Sequence, residues 1–100
     1  MDAKLLETSL SFFEDYSNIV QRLTDRLLLV KPGEYNETNL SLGIECKRQI
    51  DSIITFLKMA KILSLKVDTE TVDRLAEATE NWVYSFKTMI SRNSKLYKSE

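Results

Sequence analysis

The sequence predicts an all-α protein of three long amphipathic helices in an up-down-up antiparallel bundle, with completion by homodimerisation as the competing architecture. Three observations carry that expectation. Apolar residues recur at three- and four-residue spacing through three stretches: Leu6, Leu10, Phe13, Val20, Leu23, Leu27 and Val30; Cys46, Ile50, Ile53, Leu57 and Ala60; and Val72, Leu75, Trp82, Phe86, Met89 and Ile90. Such spacing lines side chains along one side of a 3.6-residue helix. The single proline and both glycines fall between or beside the first two stretches. With 100 residues, 43% hydrophobic and 29% charged, the chain has the makings of one globular domain over 1–100 and a core that is feasible but not generous.

The first helix is expected over about 3–30. Asp2 is a usable N-cap, and Lys31-Pro32-Gly33 ends the segment, because proline cannot continue the hydrogen-bond ladder and glycine tolerates the left-handed closing conformation. Glu34 to Asn39 reads as the one substantial loop, polar apart from Tyr35. The second helix is expected over about 40–65, capped by Asn39 or Ser41, with Gly43 close enough to its start for glycine's cost of about 1 kcal/mol to matter little. Asn36-Glu37-Thr38 and Asn39-Leu40-Ser41 match the glycosylation acceptor pattern, but the same residues serve a turn and an N-cap.

The third helix is expected over about 69–97. Asp68 is placed to cap it, and Val67 and Val72 flank the cap as a hydrophobic staple. Glu70 and Asp73 near its start, and Lys87, Arg92, Lys95 and Lys98 toward its end, match the helix dipole in sign. The short joint near Lys66 favours an antiparallel hairpin of the second and third helices.

Composition argues against an enzyme. No histidine is present, which removes the commonest general acid-base group near neutral pH and the commonest metal ligand. The carboxylate pairs Glu14 with Asp15, Asp73 with Glu77, and Glu77 with Glu80 lie among surface polar residues. Cys46 has Lys47 and Arg48 beside it, which can lower a thiol pKa, but it also belongs to the apolar stripe and reads as a small buried residue. No cofactor or metal is expected. The longest apolar run, Leu27-Leu28-Leu29-Val30, is too short to span a bilayer, and Asp2 and Glu7 spoil a secretory signal. An intracellular setting follows, cytoplasmic or nuclear, or that of a viral or phage protein acting inside a host cell.

Residues 59–75 resemble a helix-turn-helix motif, with Ala60 as the small residue of its first helix, Ser64 and Leu65 in the turn and Thr71-Val72 opening a recognition helix. The resemblance implies a small nucleic-acid-binding regulator, and this is the alternative function. Serine stands where the motif has glycine, and the would-be recognition helix carries Asp68, Glu70, Asp73, Glu77 and Glu80 against the single Arg74. With a net charge of −1, the chain offers phosphates no general attraction.

The surplus of apolar residues points elsewhere. Beside its main stripe the first helix carries Leu5, Phe12, Tyr16, Ile19, Leu28 and Leu29, and the second carries Ile54, Phe56, Met59, Ile62, Leu63 and Leu65. A bundle helix needs about three apolar residues in seven. The remainder is either added core or a surface for another protein or a second copy. The expected function is a non-enzymatic protein-protein interaction module, an adaptor, assembly subunit or small inhibitor, with Phe12, Tyr16, Ile19, Phe56, Met59 and Tyr84 as candidate partner-binding residues.

Overall fold

The computed structural model describes residues 2–29 and 34–98, with side chains over 2–29 and 37–92. It contains three helices, α1 (Ala3–Leu28), α2 (Glu34–Ile62) and α3 (Thr69–Lys98), and no strand among the described residues. α1 begins as expected, with the Asp2 carboxylate accepting the Leu5 N–H at 2.8 Å. At its other end the Leu29 N–H donates to the carbonyls of Arg26 and Leu27. Val30 and the expected stop at Lys31-Pro32-Gly33 lie outside the described residues.

α2 departs from expectation at both ends. It begins at Glu34, six residues before the expected start at 40, so Glu34 to Asn39 is helix and not loop. Glu37 and Thr38 are exposed, so their polarity marks a solvated helix side, and Glu37 suits the positive end of the dipole. Asn39 is not a cap: it is buried within the helix, 1% exposed. Gly43 is consequently interior, and its role is close approach. A Cβ there would lie 2.6 Å from Thr24 Oγ1 and 2.6 Å from Phe86 Cζ, so all three helices meet over this position.

The other end closes at Ile62, three residues before 65. Ser64 takes φ +54°, the Leu65 N–H reaches the Ala60 carbonyl at 2.9 Å, and the Ser64 N–H reaches that of Lys61 at 3.3 Å. These bonds form a Schellman motif with serine in the usual glycine position. α3 starts as expected. Asp68 Oδ1 accepts the Glu70 N–H at 3.3 Å, and Val67 and Val72, each 5% exposed, bury the staple.

Side-chain pairs establish the packing. Lys61 bonds Glu7, Asp51 bonds Ser17 and Gly43 faces Thr24, so α2 runs antiparallel to α1. Leu42 and Cys46 share a cleft with Met89 and Trp82, so α3 turns back along α2. The bundle is therefore up-down-up, with α1 and α2 in the most extensive contact and α1 and α3 in the least. Phe13, Val20, Ile50, Leu57 and Val83 form its most enclosed apolar centre. The molecule is a rod of 54 × 19 × 16 Å.

Candidate functional site

The seams between helices differ in chemistry, and the difference locates the site. Across α1 and α2 the chain builds a polar clasp. The Ser17 hydroxyl donates to Asp51 Oδ1 at 2.6 Å, while Lys47 Nζ donates to Ser17 Oγ at 3.0 Å and to Asp51 Oδ2 at 2.9 Å. Partial burial, the largest single influence, pushes the Asp51 carboxyl up, but the bonds from Ser17 and Lys47 and the lysine's charge outweigh it, leaving Asp51 below its ordinary value. Ser17 is only 5% exposed and its proton points at the carboxylate, so the trio holds helix register and gives no substrate access to the hydroxyl. An open hollow of about 620 Å³ beside it is lined by Ile44 and by polar residues, among them Gln21, Arg48, Ser52 and Thr55, which present mostly the carbon atoms of their side chains to it.

The α2/α3 seam is apolar. A cleft of about 440 Å³ runs between Leu42, Glu45, Cys46 and Gln49 on α2 and Trp82, Ser85, Phe86 and Met89 on α3. Its floor is buried Cys46 and Phe86, its walls half-buried Trp82 and Met89 and exposed Leu42. Burial pushes the Cys46 thiol up, so neighbouring Lys47 and Arg48 do not make it a ready thiolate. Glu45, the acid of this wall, bonds Arg48 and Gln49, and those bonds hold its carboxyl below the ordinary value.

Helical geometry extends the same face along the rod. Gln49, Phe56 and Leu63 follow Leu42 at seven-residue intervals, and Leu75 precedes Trp82 and Met89 at the same interval, a spacing that returns to nearly the same side of a helix. Phe56 and Met59 are each 48% exposed and Leu63 is 56% exposed. Phe56 and Leu63 thus continue the cleft's side of α2.

The candidate residues thus separate into two groups. Phe12 lies edge-on to Phe13 at 5.2 Å and tilts against Tyr16 at 4.9 Å, and Phe12, Tyr16 and Ile19 are half-buried against the core. Tyr84, 73% exposed, shares with Tyr16 a shallow groove that Glu80 and Lys87 also line. Phe56 follows the cleft residues Leu42 and Gln49 at heptad spacing, whereas Met59 follows Ser52 and Thr55 of the α1/α2 hollow. Leu42, Trp82 and Met89, absent from the candidates, supply the cleft. Leu42 and Met89 were signalled by the heptad spacing with Phe56 and Trp82, but that spacing is visible as a shared face only once α2 and α3 are known to lie side by side.

The segment 59–75 spans the end of α2, the link through 63–68 and the start of α3, and its helices run alongside each other as far as Leu42 and Met89. The opening turns of α3 expose Asp68, Glu70 and Asp73. Among the described residues no group of three or more His, Cys, Asp or Glu is placed to hold a metal ion, and no helix is long and apolar enough to cross a membrane. Comparison of the chain with protein-family models, with curated proteins and with solved structures returns no match.

Proposed function

We propose that this protein is a non-enzymatic protein-protein interaction module, an adaptor, assembly subunit or small inhibitor, that docks its α2/α3 face on a protein partner. The observation that carries the reading is the apolar cleft of about 440 Å³ bordered by Leu42, Trp82 and Met89, with exposed Phe56 and Leu63 following Leu42 at heptad spacing. A neighbouring helix laid along such a groove removes apolar surface from water without deforming the rod. Tryptophan at the edge of a desolvatable pocket is also the residue type most often found to dominate binding energy.

A photoreactive side chain at position 49, expressed in the source cells, tests the proposal. Protein adducts are expected, and Trp82→Ala together with Phe56→Glu should abolish them while far-ultraviolet circular dichroism stays helical. Absence of protein adducts from position 49, with adducts forming from position 84 instead, would move the site to the α1/α3 groove. Absence from both positions would remove the docking role.

A further inference from the structure

We propose that α3 is a hinged arm: it lifts as a unit from the α1/α2 pair, turning about residues 63–66, while that pair stays folded. Lifting opens the α2/α3 seam. The inference concerns the protein alone and goes beyond the reading of that seam as a docking surface.

The helices are joined unequally. Side-chain pairs tie α1 to α2 along much of their length: Glu7 with Lys61 at 2.9 Å, Glu14 with Lys58 at 3.8 Å, and Ser17 with both Asp51 at 2.6 Å and Lys47 at 3.0 Å. The exposed ion pairs contribute little each, but the part-buried clasp fixes the register of the two helices. α1 and α2 also meet most extensively, and α3 rests on them mainly through α2. Over stretches of similar length, α1 buries five apolar side chains and α2 six, whereas the described part of α3 buries Val72, Val83 and Phe86. Less apolar area therefore holds α3 in place.

Docking α3 also encloses a group that prefers water. Thr79 Oγ1, midway between Val72 and Phe86, is 0% exposed and has no hydrogen-bond partner. A hydroxyl buried in this way loses its bond to water, and lifting the helix restores it. The seam beside it is incompletely filled. The cleft of about 440 Å³ leaves Trp82 and Met89 half-covered, while Phe13 and Val20 on α1 and Ile50 and Leu57 on α2 are fully enclosed. An element with few buried apolar contacts and room at its side is one that opens below the free energy of global unfolding.

The link supplies the hinge. Leu63, Ser64, Leu65 and Lys66 are all exposed, and Ser64 holds φ +54°, a conformation costly to a residue with a Cβ. Beyond them Val67 staples Val72 in α3's own first turn, and Asp68 caps the helix, so staple and cap travel with the arm. Lifting uncovers Cys46 on α2 and Phe86 on α3. A partner with higher affinity for the widened seam shifts the arm toward its lifted state.

The test uses Cys46, the single cysteine, which lies 7% exposed on the cleft floor and so reports opening of the seam. Its labelling by a chromogenic disulfide reagent is followed in the native protein at low reagent concentration and low urea, with hydrogen exchange of the helix amides measured in parallel. Cys46 is expected to label through an opening with a smaller urea dependence than global unfolding. The amides of α3 should exchange through that same opening, and the central amides of α1 and α2 only through the global one. Thr79→Val, which removes the unpaired hydroxyl, should slow labelling at least about fivefold. Exchange of α3 at the same free energy as α1 and α2 overturns the proposal, as does a labelling rate that neither urea nor Thr79→Val changes. Both readouts come from the protein without a partner, so their failure is distinct from a failure of the docking function, which the adducts from position 49 decide.

Discussion

Gly43, Ser64 and Thr79 are three positions where a single side chain decides more than its residue type suggests. Gly43 sits in the interior of α2, where alanine is favoured by about 1 kcal/mol on helix propensity alone. Its added Cβ would nevertheless stand 2.6 Å from Thr24 Oγ1, which is held by its hydrogen bond to the Val20 carbonyl, and 2.6 Å from the buried Phe86 ring. Overpacking typically costs about 1–3 kcal/mol, so Gly43→Ala should be net destabilising by about 1–2 kcal/mol in urea unfolding at unchanged m-value. A higher midpoint would contradict the close helix approach. Ser64 carries a Cβ in the left-handed region at φ +54°, and Ser64→Gly should raise stability by about 0.5–1 kcal/mol, measured the same way. Thr79 Oγ1 is fully buried without a hydrogen-bond partner, unlike the hydroxyl of Thr24, which donates one turn back. Replacing it by the similarly shaped valine removes the unsatisfied group, and Thr79→Val should stabilise by about 1 kcal/mol or more. The interruption of the third apolar stripe at Thr79 was legible; its enclosure without a partner was not, because that depends on what the other helices place around it.

At the scale of elements, the α1/α2 pair is organised by the Ser17, Lys47 and Asp51 clasp, whereas α2 and α3 meet through apolar contacts and a partly open cleft. The clasp makes the pairing of the first two helices pH-dependent. Asp51 is held below its ordinary pKa of about 3.9 in the folded protein. Its stabilising contribution is therefore complete above that ordinary value and is lost as pH falls through the lowered folded value. Asp51→Asn should lower the urea midpoint at pH 7, and the difference from the unsubstituted protein should shrink as the pH is taken below about 4. A difference that stays constant down to pH 2 would dissociate Asp51 from the clasp. The helix starts were legible where capping chemistry was local, as at Asp2 and Asp68. The start of α2 was not: the polar segment Glu34 to Asn39 satisfies a loop and a solvated helix side equally, and only the burial of Asn39 against the bundle distinguishes them.

For the whole molecule, a slender rod with an apolar face open to a partner links stability to assembly. If a second copy covers that face, the thermal midpoint must rise with protein concentration, because dimerisation removes folded monomer by mass action. A midpoint independent of concentration over two or three decades would be the signature of a monomer. In such a dimer Phe56→Glu should flatten the dependence and expose the monomer's own stability, since its side chain does not belong to the buried core. The sequence by itself determined the number of helices, their amphipathic stripes and the caps at Asp2 and Asp68, because each rests on periodicity or on hydrogen bonds between residues a few positions apart. It also marked a surplus of apolar residues on the first two helices. Only the tertiary structure decided what became of that surplus: Phe12, Tyr16 and Ile19 are half-covered by the bundle, Phe56, Met59 and Leu63 stay in water, and Leu42, Trp82 and Met89 border an apolar cleft. The physical reason is that periodicity reports which side of a helix is apolar, whereas burial depends on which neighbour lies over that side and how closely it packs. That choice is made by contacts between residues dozens of positions apart, such as Gly43 with Thr24 and Phe86.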